Sequence, residues 1–327
     1  MGYAFYGYSA GRVDESAKQG KGKYTMKARG YEGMQDLYAM LDLLAEGRKA
    51  NNGTYYIHRG DLQWWLFYTD VPQETWQSKI RLWFEEGRLI GWALLSLGEY
   101  AFDVYVSPYL RGDSREHEML VWAVEQMSAL GSLQNVWVAE DDEVRIRWLE
   151  ENDFKPEQEY FVLFKRSLGG PLDVITPLPE GFSLRPSRGI EDARLRSVTS
   201  HAAFGSSKPF EEYWPRTLRF MRSQVYVPEH EIFVVSPNEE IAAFCIIWTD
   251  ELSRSGQFEP VATHPNFQRM GIGKSLLFEG LRRLKSEGMN EACVCTNDDN
   301  AAAIRLYESV GFQKAKRLLT YRKKRTA

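Results

Sequence analysis

The chain has 327 residues, 43% hydrophobic and 26% charged, with a mean hydropathy of −0.44 and a formal net charge of −4. This composition excludes a disordered or fibrous chain, and the acid excess argues against a nucleic-acid coat. At roughly 150 residues per domain, the length suits two domains. Three cysteines, Cys245, Cys293 and Cys295, form neither a disulfide framework nor the ligand spacing of a zinc site, so no metal is expected. No apolar run approaches the roughly 18–20 residues of a membrane span, and residues 1–11 are aromatic and glycine-rich rather than signal-like. A cytoplasmic protein without membrane or nucleic-acid partners is the expectation. Nothing in the sequence fixes its oligomeric state.

The chain resembles itself. Met26-Lys27-Ala28 resembles Leu184-Arg185-Pro186, and Val106-Ser107-Pro108 resembles Thr263-His264-Pro265. The run from Arg147 to Phe154 resembles that from Arg305 to Phe312. Offsets of 158, 157 and 158 predict a tandem duplication. The stretch from Gly169-Gly170-Pro171 through Pro177, Pro179 and Gly181 has linker composition, which sets domains at 1–170 and 171–327.

In chain order, hydrophobic periodicity in the second half predicts a strand at 182–186 and helices at 191–204 and 210–222. Strands follow at 231–236, 241–248 and 257–263. A helix over 271–287 carries Leu277, Leu281 and Leu284 on one face. Strand 292–296, helix 301–310 and strands near Phe312 and over 318–322 close the chain. The first half repeats this order, with Leu120, Val124 and Met127 striping its long helix. Strands interleaved with helices predict an α/β fold, two tandem layered domains with mixed central sheets.

Chemistry concentrates in the loop between strand 257–263 and helix 271–287. Gly271 and Gly273 lie at the first turn of that helix, where missing Cβ atoms and free N–H groups make an anion site suited to a pyrophosphate. Gly273-Lys274-Ser275 ends like a Walker A loop, but the glycine required five residues earlier is Gln268. A dinucleotide fingerprint fails too, for want of a third glycine.

Gln268-Arg269-Met270-Gly271-Ile272-Gly273 resembles the Q/R-x-x-G-x-G/A motif of the GCN5-related N-acetyltransferases. Asn300, Tyr307 seven residues later and the closing Gly311-Phe312 resemble that family's second signature. The resemblance spans about 231–322 and extends weakly to the first half. It implies acetyl-CoA as co-substrate, held by backbone amides of Gln268, Arg269, Met270, Gly271, Ile272, Gly273 and Lys274. It further implies main chain at Val261, Ala262 and Thr263 against the pantetheine, Asn300 on the cofactor arm, and Tyr307 beside the sulfur. The reaction implied is attack by a neutral amine of a small molecule or peptide on the thioester, with Tyr307 protonating the leaving thiolate. A non-catalytic acyl-CoA sensor and an interaction protein are the alternatives.

For a general base, Glu259 is the only acid on strand 257–263, and the following Pro260 predicts a bulge aimed into the cleft. Ordering the bulge or binding the acceptor ammonium is the equal alternative for Glu259, with His201 and His230 as fallback bases. Opposite Gln268–Gly273 the first half carries Arg111-Gly112-Asp113-Ser114-Arg115-Glu116, and opposite Tyr307 stands Leu149. That half is expected to have lost the chemistry and to serve as a scaffold or to shape the substrate site. Acceptor contacts are expected over 199–226. Cys293 and Cys295 read as core, as do most of Trp64, Trp65, Trp76, Trp83, Tyr213 and Trp214. The basic run Lys314, Lys316, Arg317, Arg322, Lys323, Lys324 and Arg325 reads as a solvated sheet edge.

Overall fold

A computed structural model of the protein describes residues 26–50, 56–96, 100–130, 133–172 and 177–324. Residues 1–11, part of the expected linker and Arg325 lie outside them. The first half runs β1 (Lys27–Gly30), α1 (Met34–Ala50), α2 (Arg59–Phe67), α3 (Trp76–Lys79), β2 (Ile80–Glu85), β3 (Arg88–Ser96), β4 (Ala101–Val106), α4 (Ser114–Leu130), β5 (Leu133–Ala139), α5 (Glu143–Glu151) and β6 (Lys155–Ser167). The second runs β7 (Ser183–Pro186), α6 (Ala193–Ala203), α7 (Phe210–Met221), β8 (Glu231–Val235), β9 (Ile241–Asp250), β10 (Ser255–Thr263), α8 (Ile272–Ser286), β11 (Glu291–Asn297), α9 (Ala301–Ser309) and β12 (Gln313–Lys324). The fold is mixed α/β, as expected, and the two halves are built alike.

The repeat is visible in matched side chains. Arg29 forks onto Asp36 at 2.6 and 2.7 Å, and Arg185 forks onto Asp192 at 2.7 and 2.8 Å. These pairs set the offset of the first strands at 156, not the 158 expected from Met26 and Leu184. Farther on the expected offset of 158 holds. Phe154 N–H donates to the Leu149 carbonyl at 3.0 Å, as Phe312 N–H donates to the Tyr307 carbonyl at 3.1 Å.

All strands join one sheet, in the order β1-β2-β3-β4-β5-β12-β6-β11-β10-β9-β8-β7. The last strand of each half has therefore crossed to the other. β6 pairs with β11, and β12 pairs with β5 as well as with β6. The expected pair of closing strands is one strand with two register shifts, and it lies in the middle of the sheet rather than at an edge. Its basic side chains are matched by acids of the first half. Lys316 reaches Asp141 at 2.5 Å, Arg317 reaches Glu140 at 2.6 Å and Arg322 reaches Glu157 at 3.4 Å.

Helices cover both faces because each presents one apolar stripe to the sheet. On one face, α1 and α2 share a core with α7, so that Leu37, Leu62, Phe220, Phe244 and Trp248 pack together across the halves. On the other, α4 and α5 cover the first half, and α8 and α9 the second, where Leu277, Leu281 and Leu284 are fully buried.

Candidate active site

β10 and β11 run parallel from Ser255↔Glu291 to Phe258↔Val294 and then part. β10 stays paired with β9 on its other side, after a register shift between Phe258 and Val261 that is the bulge expected at Pro260. The indole N–H of Trp248 donates to the Glu259 carbonyl at 2.7 Å and fixes the bulge. The gap between the strands opens into a cavity of about 730 Å³ lined by Glu259, Pro260, Val261, Asn300 and Tyr307.

Beyond the gap, the chain turns through Arg269 (φ 64°) and Gly271 (φ 80°) into α8. Left-handed residues alternating with ordinary ones turn successive N–H groups toward one side, the shape of an anion-binding nest. The glycine at 273 has a steric reason. A Cβ there would stand 3.2 Å from Leu306 of α9 and 3.5 Å from the Thr263 hydroxyl. The Gln268 side-chain amide donates back to the Thr263 carbonyl at 3.5 Å, tying the turn to the strand end.

The first half supplies the control. There Glu116 replaces Gly273; its carboxylate accepts from Gly112 N–H at 2.6 Å, meets Arg145 at 2.9 Å and also pairs with Arg111. An internal ion cluster fills the turn.

Tyr307 is 5% exposed, its ring between Phe164 and Phe312, and it lines the cavity. Burial, with Glu259 as a negative neighbour, holds its phenol well above the usual 10, so it stays protonated through the neutral range. The Asn300 side chain caps α9, accepting from Ala303 N–H at 3.1 Å, a structural task beside its place in the cavity wall. Glu259 is partly buried, and burial together with the nearby Asp61 carboxylate raises it to about 8.

Several expectations change here. Of the stretch 199–226, only Phe204 lines the cavity. The opposite wall comes instead from the first half, through Asp61, Trp64 and Trp65 of α2, with Trp137 of β5 below. Cys293 and Cys295 line the cavity as well as packing, and burial pushes Cys293 up to about 12 and Cys295 far above its usual value. Neither is a thiolate. Trp76 is buried and reaches the wall, while Trp83 and Tyr213 are core and Trp214 donates to Glu211 outside the cavity. His201 faces the Lys208 carbonyl and His230 pairs with Glu287, both away from this cavity. Among the described residues no cluster of metal-ligating side chains occurs, and no helix is long and apolar enough to cross a membrane.

The position of α2 follows from one glycine. A Cβ on Gly60 would collide with the Trp248 ring and the Gln257 amide, so only glycine lets the helix lie on β9 and β10. That close approach brings Asp61 to Gln257, whose side-chain amide donates to it. Nothing in the first half's sequence marks this, because the partner residues are almost two hundred positions away.

A family model described as Acetyltransferase (GNAT) family matches residues 195–312. The chain is similar to a mycothiol acetyltransferase of Streptomyces coelicolor, 31% identical over 160 residues, covering 48% of this chain and 51% of that protein. Another, from Rhodococcus opacus (strain B4), is 25% identical over 239 residues, covering 69% of this chain and 77% of that protein. The stronger of these matches spans about half the length of the curated relatives. Among solved structures, a tandem GNAT protein from the clavulanic acid biosynthesis pathway superposes with a TM-score of 0.66, covering 93% of this chain and 99% of that one at 14% identity. A GCN5-related N-acetyltransferase from Sphaerobacter thermophilus gives 0.62, covering 91% and 95% at 20% identity. At these identities the structural likeness speaks for the fold.

Proposed function

From the match of residues 195–312 to the Acetyltransferase (GNAT) family model, we propose that the chain transfers an acetyl group from acetyl-CoA to a primary amine of a small molecule or peptide, in the site between its halves. The observation that carries this reading is that one cavity begins at the β10–β11 gap, with Tyr307 and Glu259 on it, and ends against α2. Backbone amides of residues 268–274 would hold the pyrophosphate, and main chain of Val261, Ala262 and Thr263 would flank the pantetheine. Asn300 would contact the arm while capping α9. Bound there, the thioester supplies the activated acyl group. Glu259 takes the proton that the attacking ammonium must lose, and Tyr307 gives one to the thiolate as the C–S bond breaks. No metal is required by this scheme.

Residues 1–170 are the non-catalytic partner in this reading and 171–327 the catalytic one, although β6 and β12 have exchanged places. The first half gives the acceptor its wall. Amines related to the acceptors of the mycothiol acetyltransferases belong in the first panel to be tried. Coenzyme A release on incubation with amines tests the reading. Release that depends on an amine and on Tyr307 supports it. Tight acetyl-CoA binding without release for any amine would favour a non-catalytic sensor.

A further inference from the structure

Asp61 and Glu259 line the same cavity, one from each half and close enough for Asp61 to act on Glu259, and neither makes an ion pair among the described residues. Asp61 is held by two neutral donors. Its carboxylate accepts from His58 N–H at 2.9 Å and from the Gln257 side-chain amide. A carboxylate at this helix position ordinarily caps the first turn in water. Here aromatic Trp64 and Trp65 stand beside it, and burial raises its affinity for a proton.

Asp61 feels the charge of Arg48, but the two make no ion pair and Arg48 is engaged elsewhere. Arg48 donates to the Tyr56 carbonyl at 2.9 Å and to the Ser255 hydroxyl at 3.3 Å, and lies 4.0 Å from Asp250. His58 is held neutral by burial and by Arg48. Lys79 and Asp103 stand on the first-half wall as one cation and one acid. Two desolvated acids without a cation between them are costly unless a proton or a positively charged ligand joins them.

Their order along the cavity matters. Glu259 lies past the last β10–β11 pair, at the open gap, and its charge is felt by Tyr307. Asp61 is bonded to Gln257, which still pairs with Cys293. Two strand residues span about 7 Å. The reacting nitrogen belongs at Glu259, beside the gap, which leaves Asp61 for a second cation.

Resting on the acetyltransferase reading, we propose that the acceptor is a diamine, with its reacting nitrogen at Glu259 and its second ammonium held by Asp61 of the first half. A spacer of four or five carbons spans about the 7 Å between the strand positions Gln257, which binds Asp61, and Glu259.

The test compares 1,4-diaminobutane and 1,5-diaminopentane with butylamine and pentylamine in wild type and Asp61→Asn. Wild type should prefer the diamines in kcat/KM by about 10- to 100-fold, the range for a lost charged hydrogen bond. Asp61→Asn, which keeps an oxygen for His58 N–H, should lose that preference through KM and leave acetyl-CoA affinity unchanged. Calorimetric titration of 1,4-diaminobutane into protein saturated with coenzyme A measures the same dependence without turnover. Equal use of monoamines by wild type, or a preference that survives in Asp61→Asn, would overturn the proposal even if acetyl transfer occurs. Should Asp61→Asn not fold, the wild-type comparison decides. Diamine binding that needs Asp61 but is followed by no transfer would instead remove the acetyltransferase reading and leave a diamine site.

Discussion

The carboxylate of Glu116 accepts a hydrogen bond from the main-chain N–H of Gly112 at 2.6 Å, in the turn where the second half has Gly273. One half thus fills its own turn with a side chain, and in the proposed reading the other leaves it to a ligand. Calorimetry should give one acetyl-CoA per chain. Gly273→Glu should abolish binding, because it adds a competing carboxylate and its Cβ crowds Leu306. Two equivalent sites per chain would contradict this. Glu116→Ala should not create a second site. It should cost about 3–5 kcal/mol of stability, because Arg145 and Arg111 lose a buried partner.

Exchange of β6 and β12 ties each half to the other through main-chain hydrogen bonds on both sides of each strand. Calorimetric unfolding should therefore show one transition. Residues 1–168 expressed alone should be insoluble or unfolded, since β5 would lose its neighbour β12. Two resolved transitions, or a well-folded isolated half, would show that the shared sheet does not couple them.

Tyr307→Phe removes one hydroxyl and no packing surface. The buried phenol is protonated near neutral pH, so it enters the reaction with a proton to give. Turnover should fall about 10²–10⁴-fold with acetyl-CoA affinity unchanged, in the range of a lost general acid. A Phe variant as fast as wild type would make Tyr307 a packing residue.

Much of the second half was legible because its signals are local. The bulge follows from Pro260 and the turn from Gly271 and Gly273, whereas the Asn300 cap of α9 was not read from the sequence. What stayed hidden was long-range. The basic run of β12 reads as an edge only until Asp141, Glu140 and Glu157 are seen opposite it, and they arrive by strand exchange. The acceptor wall was hidden for the same reason. Asp61 reads locally as a helix-capping acid, and only the close approach at Gly60 makes it a cavity residue.

Glu259 offers the sharpest separation of roles. Burial and Asp61 raise its carboxyl from 4.5 to about 8, so the folded protein keeps a proton that the unfolded chain gives up above about 4.5. This contribution to stability is complete below the unfolded value and is lost as pH climbs through about 8. Melting temperature should decline across that window in wild type, and Glu259→Gln should flatten the decline. The kinetics run the opposite way, because a base must be ionised to accept a proton. In wild type kcat/KM should rise through about pH 8. In Glu259→Gln that limb should vanish, and activity should recover at high pH, where the amine is already neutral. A role limited to binding the ammonium predicts a raised acceptor KM with the limb retained by another group. If melting and rate profiles both match wild type, Glu259 takes no part in the site.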